Sequence, residues 1–186
     1  SQTRHSMTPS ALNKLDIIGV GLIGGSFALA LRKANMVKQI IGVGRSPTNM
    51  QKAVDQGVID ESTNDLASAL NNADAVLLAM PVGQALHIMS EIAPHLQPDT
   101  VITDAGSTKQ DVISAARLHL QQNLANFVPA HPIAGAEKSG VMAARVDLFR
   151  NKHLVLTPLA ETNHDAIERV KTLWQTCGAN VTQMPA

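Results

Sequence analysis

The chain has 186 residues, 45 % of them hydrophobic, and its fifteen basic residues balance fifteen acidic ones for a net charge of zero. That length bounds the chain to one domain, and its core has to be aliphatic, because aromatics make up 2 % and tyrosine is absent. The neutral balance carries no footprint for nucleic acid or an anionic membrane surface, and no run of about 18 apolar residues offers a membrane-spanning helix. The single Cys177 excludes an internal disulfide and a cysteine-based zinc framework, and fits a reducing, cytoplasmic compartment.

The opening residues, Ser1-Gln2-Thr3-Arg4-His5-Ser6, are polar and lack the apolar centre of a signal peptide; residues 1–12 read as a disordered lead-in. An apolar strand follows, and it runs into Gly19-Val20-Gly21-Leu22-Ile23-Gly24. This is a G-x-G-x-x-G turn between a strand and an apolar helix. Gly19 permits the tight turn, Gly21 admits backbone close to a pyrophosphate, and Gly24 lets helix and strand pack closely. The phosphates would then face the free N–H groups and the positive end of the new helix, around Leu22 and Ile23.

Residues 39–43 read as a second buried strand that ends at Gly44-Arg45-Ser46-Pro47. An NAD site places an acid about 20 residues past the glycine motif, on the ribose 2′-hydroxyl, whereas a nearby arginine accommodates a 2′-phosphate. No acid stands here. Gly44 leaves room, Arg45 offers a planar multidentate cation and Ser46 a hydroxyl, so the pattern favours NADP, with NAD as the alternative. Arg45 also reads as a solvated loop residue, and Ser46 as the N-cap of a helix over 48–56 with Pro47 at its first position; the two readings of Ser46 are compatible.

A short strand is expected at 58–60, a helix at 65–70 and a buried strand at 75–79. Pro81 ends that strand and puts Met80, Pro81 and Val82 at its carboxyl end, the edge where open α/β sheets hold ligands. An ordinary strand-to-helix turn has the same spacing. A helix over 84–93 carries His87, and a strand over 100–104 leads into Ala105-Gly106-Ser107-Thr108-Lys109-Gln110. Ser107 with Gln110 has the form of a capping box, and Gly106 joins the candidate cofactor edge.

A sixth strand, 126–130, carries Pro129, which suggests an edge position. It delivers His131-Pro132-Ile133-Ala134-Gly135-Ala136-Glu137-Lys138-Ser139-Gly140. Pro132 biases His131 toward extended backbone, and a histidine held at a strand end beside a charged, glycine-bearing loop suits acid–base work. An isolated histidine is also commonly structural. The other six histidines lack this setting, and no pair has metal-ligand spacing, so no metal site is expected. Residues 141–149 read as helical or irregular, 152–158 as a strand, and a helix capped by Thr162 or Asn163 ends at Gly178 before a last strand over 180–184. The alternation of strand and helix indicates a Rossmann-type, doubly wound α/β fold, mostly parallel, with helices on both faces. Residues 13–186 form the dinucleotide-binding domain in this reading.

The glycine turn, Thr103-Asp104-Ala105-Gly106-Ser107-Thr108-Lys109 and the His131–Gly140 run together resemble the prephenate/arogenate (cyclohexadienyl) dehydrogenase family of tyrosine biosynthesis. The resemblance implies oxidative decarboxylation of a cyclohexadienol, with His131 taking the ring-hydroxyl proton and Ser107 hydrogen-bonded near that hydroxyl. Glu137 and Lys138 then belong to the substrate-side loop. It also implies an all-helical domain after a position like Ala186, which forms a homodimer and adds basic substrate-binding residues; 186 residues alone would bind cofactor and turn over little substrate. Another Rossmann enzyme, such as a β-hydroxyacid dehydrogenase, typically relies on a lysine in a later helix that nothing marks here. A non-catalytic NAD(P)-binding module is the remaining alternative.

Overall fold

The computed structural model describes residues 12–106, 109–132 and 143–186. A six-stranded parallel sheet takes β1 (Leu12–Ile18), β2 (Val37–Val43), β3 (Glu61–Thr63), β4 (Ala75–Leu78), β5 (Val101–Asp104) and β6 (Phe127–Val128) in the spatial order β3-β2-β1-β4-β5-β6. The order reverses between β1 and β4, so a crevice opens above their carboxyl ends. A smaller sheet joins β7 (Ala130–Pro132), β8 (His153–Leu156) and β9 (Asn180–Gln183); β7 and β8 are antiparallel, β8 and β9 parallel.

The central strand β4 and the carboxyl halves of β1 and β2 are mostly aliphatic and buried because helices cover both faces, whereas the edge strand β3 is polar. On one side α1 (Leu22–Lys33), α2 (Pro47–Asp55) and α6 (His164–Thr176) bury Phe27, Leu31, Met50, Val170 and Trp174 against Leu15, Ile17 and Ile40. On the other, α3 (Leu66–Leu70), α4 (Ala85–Ile92) and α5 (Gln110–His119) bury Leu70, Met89, Ile92 and Ala116 against Ile18, Val76 and Ile102. Trp174 meets Phe27 at 4.7 Å and Phe149 at 5.2 Å between ring centroids. Its Nε1–H donates to Thr103 Oγ1 at 3.4 Å, and that hydroxyl donates to Val128 O at 2.8 Å, which ties α6 to β5 and β6. Cys177 is buried, and burial pushes its thiol up.

The doubly wound fold is as expected, with four local differences. The strand expected at 58–60 lies at Glu61–Thr63, because Asp60 is used to close the sheet's amino end: its N–H donates to Ile40 O and its Oδ2 accepts Ile40 N–H. The strand expected over 126–130 splits at Pro129, which has no N–H for a ladder; β6 is the edge of the large sheet and β7 turns into the small one. The strands expected last in the chain join that small sheet rather than extending the large one. Helix α5 begins at Gln110, later than the capping pattern places it, with Lys109 in the N-cap position and no side-chain cap hydrogen bond from Lys109. No helix among the described residues is long and apolar enough to cross a membrane.

Candidate functional site

The glycine turn is built by close approach. Gly19 has φ +96°, and a Cβ there would lie 2.8 Å from the Ala79 and Met80 backbone. A Cβ on Gly24 would lie 2.3 Å from Gly19 O and 2.8 Å from Ile17 Cγ2. Helix α1 is thereby drawn down onto β1, with Gly21 at its N-cap, no side-chain cap and no acid in its first turn. The amide donors of that turn, at Leu22, Ile23 and Gly24, are left to an external acceptor. A nicotinamide dinucleotide fits such a cradle, because uncapped donors at a helix's positive end suit a pyrophosphate.

A cleft of about 540 Å³ lies over this turn, within the size range of small-molecule sites. Of the expected cofactor residues, Gly19, Gly21, Arg45, Ser46, Met80 and Pro81 line it. Leu22 and Gly24 are buried beneath, and Ile23 packs partly against the core. Arg45 is exposed at the end of β2. Ser46 is the N-cap of α2, its Oγ accepting Asn49 N–H at 3.2 Å, with Pro47 opening the helix. Val82 sits in a 3-10 turn, 82–84, that leads into α4. Sequence reasoning missed Asn49, Asn64, Gln84 and the pair His87–Glu91, which also line the cleft. His87 Nε2 stands 3.1 Å from Glu91 Oε1; their i,i+4 spacing just past Met80-Pro81 is the signal that could have found them.

His131 and Gly106 meet further along the same edge. The expected strand-end histidine stands inside β7, paired with Val155 of β8, so its backbone is fixed on one side by a ladder. Its Nδ1 lies 3.2 Å from Gly106 O. A carbonyl can only accept, so this contact calls for the proton on Nδ1, the tautomer of a neutral imidazole in which Nε2 is the acceptor.

Asp104 accepts Ala130 N–H at Oδ1 and Gly106 N–H at Oδ2, each at 3.0 Å. Lys109 Nζ donates to Asp104 Oδ2 and to Ala130 O. Burial pushes the Lys109 amine below the usual lysine range, and the Asp104 carboxylate pulls it back up. Ser107, Glu137 and Lys138 lie outside the described residues. No group of three metal-ligating side chains occurs among the described residues.

Residues 27–183 match the family model for the prephenate dehydrogenase nucleotide-binding domain. The prephenate dehydrogenase of Bacillus subtilis is 40 % identical over 169 residues, which cover 90 % of this chain and 45 % of that protein. Prephenate dehydrogenase from Aquifex aeolicus, solved in complex with hydroxyphenyl propionate and NAD+, is 34 % identical, with a TM-score of 0.88 over 96 % of this chain and 62 % of that one. Synechocystis arogenate dehydrogenase is 30 % identical, with a TM-score of 0.83 over 92 % of this chain and 59 % of that one. The chain spans about half the length of the curated relatives it matches.

Proposed function

The chain belongs to the prephenate dehydrogenase family through its nucleotide-binding domain, and from that premise we propose that it serves an NADP-preferring oxidative decarboxylation of prephenate or arogenate, leading to tyrosine. The observation that carries the reading is the His131–Gly106 contact at the sheet edge that also bears the glycine turn. The dinucleotide would lie from Arg45 across β1 and β4 toward β5, three strand spacings or about 14 Å. Gly19 and Gly21 give its pyrophosphate access to the first turn of α1, and Met80, Pro81 and Gly106 lie along its path. Arg45 and the Ser46 hydroxyl would meet the 2′-phosphate, a charge-assisted contact that NAD cannot make.

His131 Nε2 accepts the substrate's ring-hydroxyl proton. As that proton leaves, the hydroxyl-bearing carbon releases hydride, for which the bound nicotinamide supplies the acceptor. The ring carboxylate departs as carbon dioxide, and its bonding pair completes the aromatic ring. By resemblance, Ser107 holds the hydroxyl in register, and Glu137 and Lys138 lie on the substrate side. The contacts that choose between prephenate and arogenate, and those of a homodimer, fall in this reading to the remaining part of a protein of the relatives' length. A cytoplasmic enzyme with a small-molecule substrate is the corresponding cellular picture.

The test is a steady-state assay of the full-length protein with both substrates and both cofactors, repeated for His131→Asn. The substitution should remove turnover, a loss of at least about 100-fold for a general base, and leave the cofactor dissociation constant nearly unchanged. Turnover that survives it would refute the assignment.

A further inference from the structure

We propose that the Asp104–Lys109 pair is a positioning device that fixes the tautomer and aim of the His131 ring, an inference resting on the reading of His131 as the base. Two supports define that ring: the Gly106 carbonyl at Nδ1 and the Ala130–Pro132 backbone that carries it. One carboxylate grips both, because Asp104 Oδ1 takes the amide of Ala130 and Oδ2 takes the amide of Gly106. Lys109 then closes the frame by donating to that same Oδ2 and to Ala130 O. Residues from the end of β5, the approach to α5 and the start of β7 are thus joined at one point, one residue from His131.

The pair is nearly removed from solvent, with 4 % of the Asp104 side chain and 16 % of Lys109 exposed. Buried charges that also satisfy backbone groups on two elements over-determine local geometry. With the Gly106 amide held by Asp104, the same residue's carbonyl is presented to His131. Neither Asp104 nor Lys109 reaches the ring itself by any described hydrogen bond, so their action on chemistry runs through His131.

The experiment reads the His131 ring nitrogens by ¹⁵N NMR of the histidine-labelled full-length protein at a pH where the ring is neutral, with the resonance identified by its absence in His131→Asn. The unmutated protein should show Nδ1 protonated and Nε2 bare. Asp104→Asn presents an amide N–H₂ to one of the two backbone amides, and Lys109→Met removes the closing donor. Each should mix the tautomers and lower kcat by about 10-fold or more, because the base is then misprotonated or misaimed in a share of the molecules. An Nε2–H tautomer in the unmutated protein overturns the proposal. So does a variant that keeps both tautomer and kcat. If Asp104→Asn loses its circular dichroism signature of folding, Lys109→Met and the unmutated spectrum decide. Failure of the base assignment looks different, because His131→Asn would then retain kcat whatever the tautomer.

Discussion

Asp16 stands in the middle of β1, fully buried, and neither of its carboxylate oxygens has a hydrogen-bond partner among the described residues. Its neighbours in register are Ile41 and Val76. Burial pushes its carboxyl up to about 7, with Lys14 opposing. The Lys14 ammonium is itself directed to Ser68 O and Asn71 O. Since the folded-state pKa lies above the unfolded value of 3.8, the folded state holds more protons between those limits. Asp16 therefore costs least below about pH 4, and stability falls as pH rises through about 7, by up to about 4 kcal/mol. Replacing Asp16 with valine should remove this slope and stabilise the chain at pH 8 by about 1–4 kcal/mol, measured by urea unfolding at pH 5 and pH 8. A variant whose stability varies with pH as the parent's does would contradict it.

Arg45 belongs to the same scale. It is exposed and, among the described residues, makes no ion pair, while Ser46 already serves α2 as its cap. Arg45→Ala should then weaken NADP binding by about 1.5–3 kcal/mol with little effect on NAD, as titration calorimetry with each cofactor would report. Equal affinity for both cofactors before mutation would refute the preference.

Among the elements, the β1–turn–α1 unit depends most on side-chain absence. A methyl group at position 24 would have to displace backbone, since Gly19 O lies 2.3 Å from its place. Gly24→Ala should cost about 1–3 kcal/mol in stability and should weaken either dinucleotide, because lifting α1 moves its free amides off the cleft; thermal melts with and without cofactor measure both. This unit was legible in advance, since glycine spacing between an apolar strand and an apolar helix reports backbone contacts that are local in sequence. The β6–β7 region was less so. Pro129 marked an edge, but the turn of His131 into a second sheet depends on Val155 of β8, a partner remote in sequence. Lys109, the residue before α5, likewise makes its bonds to Asp104 and to Ala130, which is 21 residues away in sequence.

At the scale of the whole molecule, Trp174 joins one helical layer to the large sheet. Trp174 of α6 touches Phe27 of α1 and Phe149, and reaches the large sheet through Thr103. Trp174→Ala should cost about 3–5 kcal/mol, read from the shift in the urea midpoint. A loss below about 1 kcal/mol would mean that the cavity collapses and the layers do not depend on this residue.

Sequence by itself determined the doubly wound fold class, the glycine turn and the motif residues of the family, because strand–helix alternation, turn chemistry and short spacings are properties of neighbouring residues. The cleft's unforeseen wall, from Asn49 and Asn64 to His87 and Glu91, was decided only in three dimensions. So were the carbonyl that faces His131 Nδ1 and the carboxylate and ammonium that hold the backbone of Ala130 beside it. These groups lie on different elements and meet only after the sheets have closed, where burial removes the competing water and makes each remaining partner count.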